Sequence, residues 1–142
     1  MDWKNEAIDK LCKFAAMERA VENLQEEMKR LELEQTAIQS ADPGRLSKGT
    51  TVRREDRLLT NIVKRQELEN RLAQAENWIA QVKRGLEALS YEEKQILSRC
   101  YMKPEKCAVD TLCYELGAEK STIYRKRDKA LHTFTIALYG IA

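Results

Sequence analysis

Residues 115–131, ELGAEKSTIYRKRDKAL, place one glycine between two helical patterns of opposite character. Before Gly117 the pattern is apolar, with Val109, Leu112, Cys113 and Leu116 at helical spacing from about Cys107. After it, Lys120, Arg125, Lys126, Arg127 and Lys129 crowd together with a single acid, Asp128. Glycine adopts a left-handed backbone without steric cost and so commonly ends a helix. Two helices joined by a turn of about three or four residues containing glycine form a helix-turn-helix, whose second helix is the one that enters the DNA major groove.

The second helix of that pair is expected from about Lys120 to Tyr139, closed by Gly140. Ile123, Ala130, Leu131, Phe134 and Leu138 return it to a core, leaving Lys120, Ser121, Thr122, Tyr124, Arg125 and Lys126 on the opposite face. Cations of this kind neutralise phosphates, and the hydroxyls and guanidinium can hydrogen-bond base edges. Thr122 and Arg125 are the candidates for base contacts. Lys120, Lys126 and Lys129 are assigned to phosphates, and Tyr124 suits either task. Free N–H groups in the first turn also favour a phosphate there. Arg127 falls four residues after Ile123, where the core face continues, so its methylenes are expected to pack with the charge at the edge.

Upstream, LSYEEKQILSRCYM (89–102) supplies a supporting helix. Ser90 and Glu93 have the spacing of a capping box, Ile96, Leu97, Cys100 and Tyr101 share a face, and Lys103–Pro104 ends the run. Residues 90–142 thus read as a three-helix helix-turn-helix domain. Leu112 and Leu116 are both expected to face its core.

Residues 1–89 read as a rod. Ala7, Phe14, Val21, Met28 and Gln35 alternate with Trp3, Met17, Leu24, Leu31 and Ile38 in a heptad pattern that only Lys10 breaks, and Leu11 widens the stripe. Pro43 and Gly44 stop this helix, and residues 40–56 are assigned to a hinge loop. Within it, residues 40–54 carry Arg45, Lys48, Arg53 and Arg54 against one acid. A second run begins near Arg57 and continues through Leu68, Leu72, Ala75, Ile79, Val82, Leu86 and Leu89, with Leu58, Leu59, Ile62 and Val63 on a shifted face. The fold class is all-α: a long antiparallel coiled-coil hairpin followed by the helix-turn-helix domain. So thin a hairpin buries little by itself, so a homodimer or higher homo-oligomer through the N-terminal helices is expected, in a four-helix or swapped arrangement. A purely intramolecular hairpin core is the other reading.

The rest of the sequence mainly excludes. Net charge is only +2, so its placement matters more than its sum: residues 1–39 carry −3, residues 40–54 carry +3, and 90–142 carry +2. Helix is favoured over a turn-rich β fold by the two prolines and five glycines in 142 residues. No stretch has the apolar length of a membrane span, and the N-terminus lacks a signal-peptide core, which points to a cytoplasmic protein without membrane partners. Cys12, Cys100, Cys107 and Cys113 sit in helical patterns and are expected as reduced thiols. Spacings of seven and six residues between the last three do not match paired zinc ligands, and His132 is the only histidine, so neither metal nor cofactor is expected. Phosphate loops, nucleophile elbows and metalloprotease motifs are missing, and the chain is read as no enzyme.

The run LSYEEKQILSRCYM followed by AVDTLCYELGAEKSTIYRKRDKALHTFTIALYG resembles region four of bacterial sigma factors. It is more similar still to phage-encoded ArpU/RinA-type regulators of late genes. Leu116-Gly117, Ser121-Thr122-Ile123-Tyr124-Arg125, Ala130-Leu131 and Leu138-Tyr139-Gly140 carry the likeness, over about residues 88–140. It implies a non-catalytic, sigma-70 region 4-like regulator of transcription in a bacterial cell or phage-infected host. Its partners would be double-stranded DNA and, as for sigma region four, RNA polymerase. Glu119 departs from the Ser, Thr or Asp that usually caps the recognition helix, and nothing corresponds to sigma region two. Two other functions share this anatomy: a small terminase-like DNA-packaging subunit, and a coiled-coil adaptor whose globule binds protein.

Overall fold

The computed structural model describes the backbone of residues 2–40 and 48–141, with side chains for 2–40 and 52–141. Those residues are all-α, with no strand. Helix α1 spans Trp3–Gln39, α2 Lys48–Glu87, α3 Tyr91–Leu97, α4 Ala108–Leu116 and α5 Lys120–Tyr139. The long helices α1 and α2 pack against each other as an antiparallel hairpin. The second helix starts at Lys48, well before Arg57, so the hinge assigned to 40–56 is already helical from Lys48. Thr50, Thr51 and Val52 lack apolar periodicity, but no proline lies between Lys48 and Arg57, and Gly49, at the first turn, costs a helix at most about 1 kcal/mol. The part of that hinge at 41–47, with Arg45, lies outside the described residues.

The chain forms two compact units, and their boundary is not at residue 89. One comprises Met1–Glu18 with Asn77–Ala142, the other Arg19–Glu76. In the first unit, Ala7, Leu11 and Phe14 of α1 and Val82 of α2 share one buried cluster with Leu89, Leu97, Ala130, Leu131 and Phe134. Phe14 stacks on Trp78 with ring centroids 6.5 Å apart. Leu11 is fully buried at the step where Lys10 broke the heptad. Lys10 lies over the Tyr139 ring, 4.9 Å from its centroid, where the ring face attracts the ammonium.

In the second unit the α1–α2 seam turns polar. Asn61 is buried and donates from Nδ2 to the Leu31 carbonyl at 2.8 Å, and Arg65 Nε donates to Asn61 Oδ1 at 2.9 Å. Arg54 donates to the carbonyls of Ile38 and Gln39, both at 3.0 Å. Among the described residues of this unit, each buried polar side-chain atom therefore has a partner, as a low-dielectric seam requires.

Around the C-terminal helices the local signals hold. Ser90 Oγ accepts from the Glu93 N–H at 3.2 Å and Glu93 accepts from the Ser90 N–H at 3.3 Å, the expected capping box. The helix it starts is shorter than expected. After Leu97 it widens into a π-helical turn, Ser98–Met102, in which the Lys103 N–H reaches the Ser98 carbonyl at 2.8 Å. Cys107 then enters α4 in a left-handed conformation at φ 59°.

Candidate nucleic-acid interface

Gly117 ends α4 at φ 63°, and the following Ala118 N–H bonds the Cys113 carbonyl at 3.2 Å. This left-handed cap leaves a turn of Gly117, Ala118 and Glu119 before α5 begins. A small core holds the three helices together: Ile96 from α3, Leu112 from α4 and Ile123 from α5 are all buried, with Cys100, Val109, Cys113 and Ala118 against them. Leu116, expected in this core, is instead 38% exposed. The turn that follows it packs Ala118 against this core instead. Glu119 takes the N-cap backbone conformation without a side-chain hydrogen bond.

Helical spacing sorts the cationic face of α5 into three columns rather than one. Ser121, Arg125 and Lys129 follow one another at four-residue steps and are all exposed, opposite the buried Ile123, Ala130, Leu131 and Phe134. Lys120 and Tyr124 form a flank toward α4. Lys120 donates to Asp110, in the first turn of α4, at 3.1 Å, and that carboxylate raises the lysine pKa. Thr122 and Lys126, both half-buried, form the other flank, where Lys126 is paired with Glu92 of α3. All seven residues assigned to DNA thus lie along the first ten of α5. Only Ser121, Arg125 and Lys129 crown it, and Thr122 is less open than a leading base-reading residue should be.

Arg127 is half-buried, as its position in the core stripe suggested. Its guanidinium sits 4.8 Å over the Tyr124 ring and 6.0 Å from that of Tyr101. The arginine thus backs Tyr124 from the inner side by a cation–π contact. Beside it opens a cleft of about 330 Å³ lined by Cys100, Cys107, Asp110, Lys120, Tyr124 and Arg127. Burial pushes the Cys100 thiol above its ordinary pKa, although the nearby arginine opposes the shift.

Three contributors escaped the sequence reading: Asp110, Glu92 and Tyr101. The first two are ordinary surface acids in sequence, and only the packing of α4 and α3 against α5 brings Asp110 to Lys120 and Glu92 to Lys126. Among the described residues, no three His, Cys, Asp or Glu side chains gather as metal ligands, and no helix is long and apolar enough to cross a membrane. The exposed face of α5 thus carries cations, hydroxyls and an aromatic ring, with one acid, Asp128, which pairs with Lys4 at 3.4 Å. No family model, curated protein or solved structure matches the chain.

Proposed function

We propose that this chain is a sequence-specific regulator of transcription that binds duplex DNA through α5, of the type that controls late genes in phage or prophage. The observation that carries this reading is the exposed column Ser121, Arg125 and Lys129 on a helix anchored from behind by Ile123, Ala130, Leu131 and Phe134. Arg125, in the centre of that column, reads a base edge, a task that a planar fork of donors performs bidentately on guanine. Lys129, Lys120 and Lys126 neutralise phosphates, the last two after exchanging their carboxylate partners for DNA. The likeness of residues 88–140 to ArpU/RinA-type regulators and sigma region four supports the same reading and adds RNA polymerase as a second contact.

Selection of bound sequences from a random duplex library at two salt concentrations tests it. Arg125→Ala relaxes one position of the enriched motif, at about 1–3 kcal/mol of lost discrimination. Lys129→Ala weakens all sequences alike and flattens the salt dependence by roughly one counterion. An adaptor that binds protein is the second reading, and it draws on Tyr114, a ring 90% exposed on α4. Absence of any enriched motif, with association insensitive to salt, decides for the adaptor.

A further inference from the structure

In the unit Arg19–Glu76, four of the five apolar residues between Val52 and Arg65 of α2 lie on the side away from α1. Toward α1 the helix presents Arg54, Leu58, Asn61 and Arg65, three of them polar and held by hydrogen bonds. Away from α1 it presents Val52, Leu59, Ile62 and Val63, which are 52, 62, 39 and 46% exposed. Leu59 follows Val52 by seven residues, and Ile62 and Val63 follow Leu59 by three and four, so they make one stripe along the helix. The stripe exposes on the order of 300 Å² of apolar surface, comparable to the largest patch on a typical monomer, which is often functional. Meanwhile, apart from Asn61, only Leu31, Ile38 and Ala75 are buried among the described side chains of this unit. Three buried apolar side chains among the described residues make a small core for a unit spanning Arg19–Glu76.

A charged row flanks the stripe on one side: Arg53, Asp56, Thr60, Lys64 and Glu67, all exposed, at steps of three and four. Its order of charge, positive, negative, neutral, positive, negative, is self-complementary when reversed. In an antiparallel pair of helices each flank meets the same flank of the partner running the other way. A twofold axis at Thr60 therefore sets Arg53 against the partner's Glu67 and Asp56 against the partner's Lys64.

From these observations we infer that the outer face of α2 is a homodimer interface, in which α2 packs antiparallel on α2 of a second copy about an axis at Thr60. The stripe supplies the apolar centre and the charged row fixes direction and register, as flanking ion pairs do in coiled coils. The symmetry is isologous and closed, so association stops at two through this face. It does not rest on DNA binding and is measured without DNA.

Sedimentation of the full chain at tens of micromolar gives a dimer, and Leu59→Asp with Val63→Asp shifts it to a monomer with unchanged helicity. Cysteine trapping tests the direction, in a background with Cys12, Cys100, Cys107 and Cys113 replaced by Ser. Thr60→Cys, at the axis, cross-links under mild oxidation. Arg71→Cys lies on the same row but eleven residues from the axis, so its mate is roughly 33 Å away, and it does not. Equal cross-linking at both positions overturns the antiparallel geometry. A monomeric wild-type chain, or a dimer indifferent to Leu59→Asp with Val63→Asp, overturns the interface and hands the face to a different partner.

Discussion

A Cβ built on Gly85 lies 2.9 Å from Cε2 of Phe134 and 3.0 Å from Cδ2 of Leu138, closer than packed carbons approach. Phe134 is fully buried in the main cluster and has no open space to swing into. Glycine at 85 is thus what lets α5 lie directly on the end of α2. Gly85→Ala gains helix propensity of up to about 1 kcal/mol but forces the ring outward, and overpacking of this kind costs about 1–3 kcal/mol. The expected outcome is a net loss of roughly 1 kcal/mol in urea unfolding, with an unchanged slope. Gly117 differs: nothing lies within 4 Å of its added Cβ, and only its φ of +63° requires glycine. The sequence made Gly117 legible because a turn glycine announces itself between two periodic runs. Gly85 sits inside such a run, and only the facing helix gives it a reason.

At the scale of elements, α5 is tied down on both flanks before any partner arrives. Asp110 holds Lys120 and Glu92 holds Lys126, both pairs partly exposed and so weakened by solvent screening. Such ties fix the lysines in place yet yield readily to phosphate, which offers the same bond with a larger surrounding field. Under the DNA-binding reading, Glu92→Gln and Asp110→Asn remove the competitor and leave the cation. Each should tighten duplex binding roughly two- to five-fold at low salt, with little change in melting temperature. Fluorescence anisotropy with a fixed duplex checks this, and unaltered binding in both variants would remove the two lysines from the interface. The extents of α4 and α5 were legible from Gly117, Gly140 and the apolar spacing. The Glu92 and Asp110 ties were not, because residues separated by 34 and 10 positions meet only after the helices pack. The polar seam of α2 misled for a related reason: periodicity follows apolar residues, and there Leu59, Ile62 and Val63 point away from α1 while Asn61 and Arg65 point toward it.

For the whole molecule, the sequence suggested a self-sufficient C-terminal domain from residue 90, whereas the packing builds that unit from both ends of the chain. Of the nine residues in its main buried cluster, Ala7, Leu11, Phe14, Val82 and Leu89 precede that boundary. Heptad positions do not reveal which partner they will bury against, so a seam that begins in a hairpin can end in a three-helix unit without any change of pattern. Fragment 90–142 keeps the small cluster of Ile96, Leu112 and Ile123 but exposes one face of Leu97, Ala130, Leu131 and Phe134 to water. Short helices of 7 and 9 residues are not stable alone and depend on such packing. The isolated fragment should show weak helicity by circular dichroism and no cooperative melting transition. In the intact chain, Leu11→Ala, some 110 residues away in sequence, should lower stability by about 2–5 kcal/mol and melt α5 with the rest. Hydrogen exchange resolves this by amide: protection at Leu131 and Phe134 should fall together with that at Phe14. A fragment that melts cooperatively at the temperature of the whole protein would restore the boundary at residue 90 and reduce the start of α1 to an accessory.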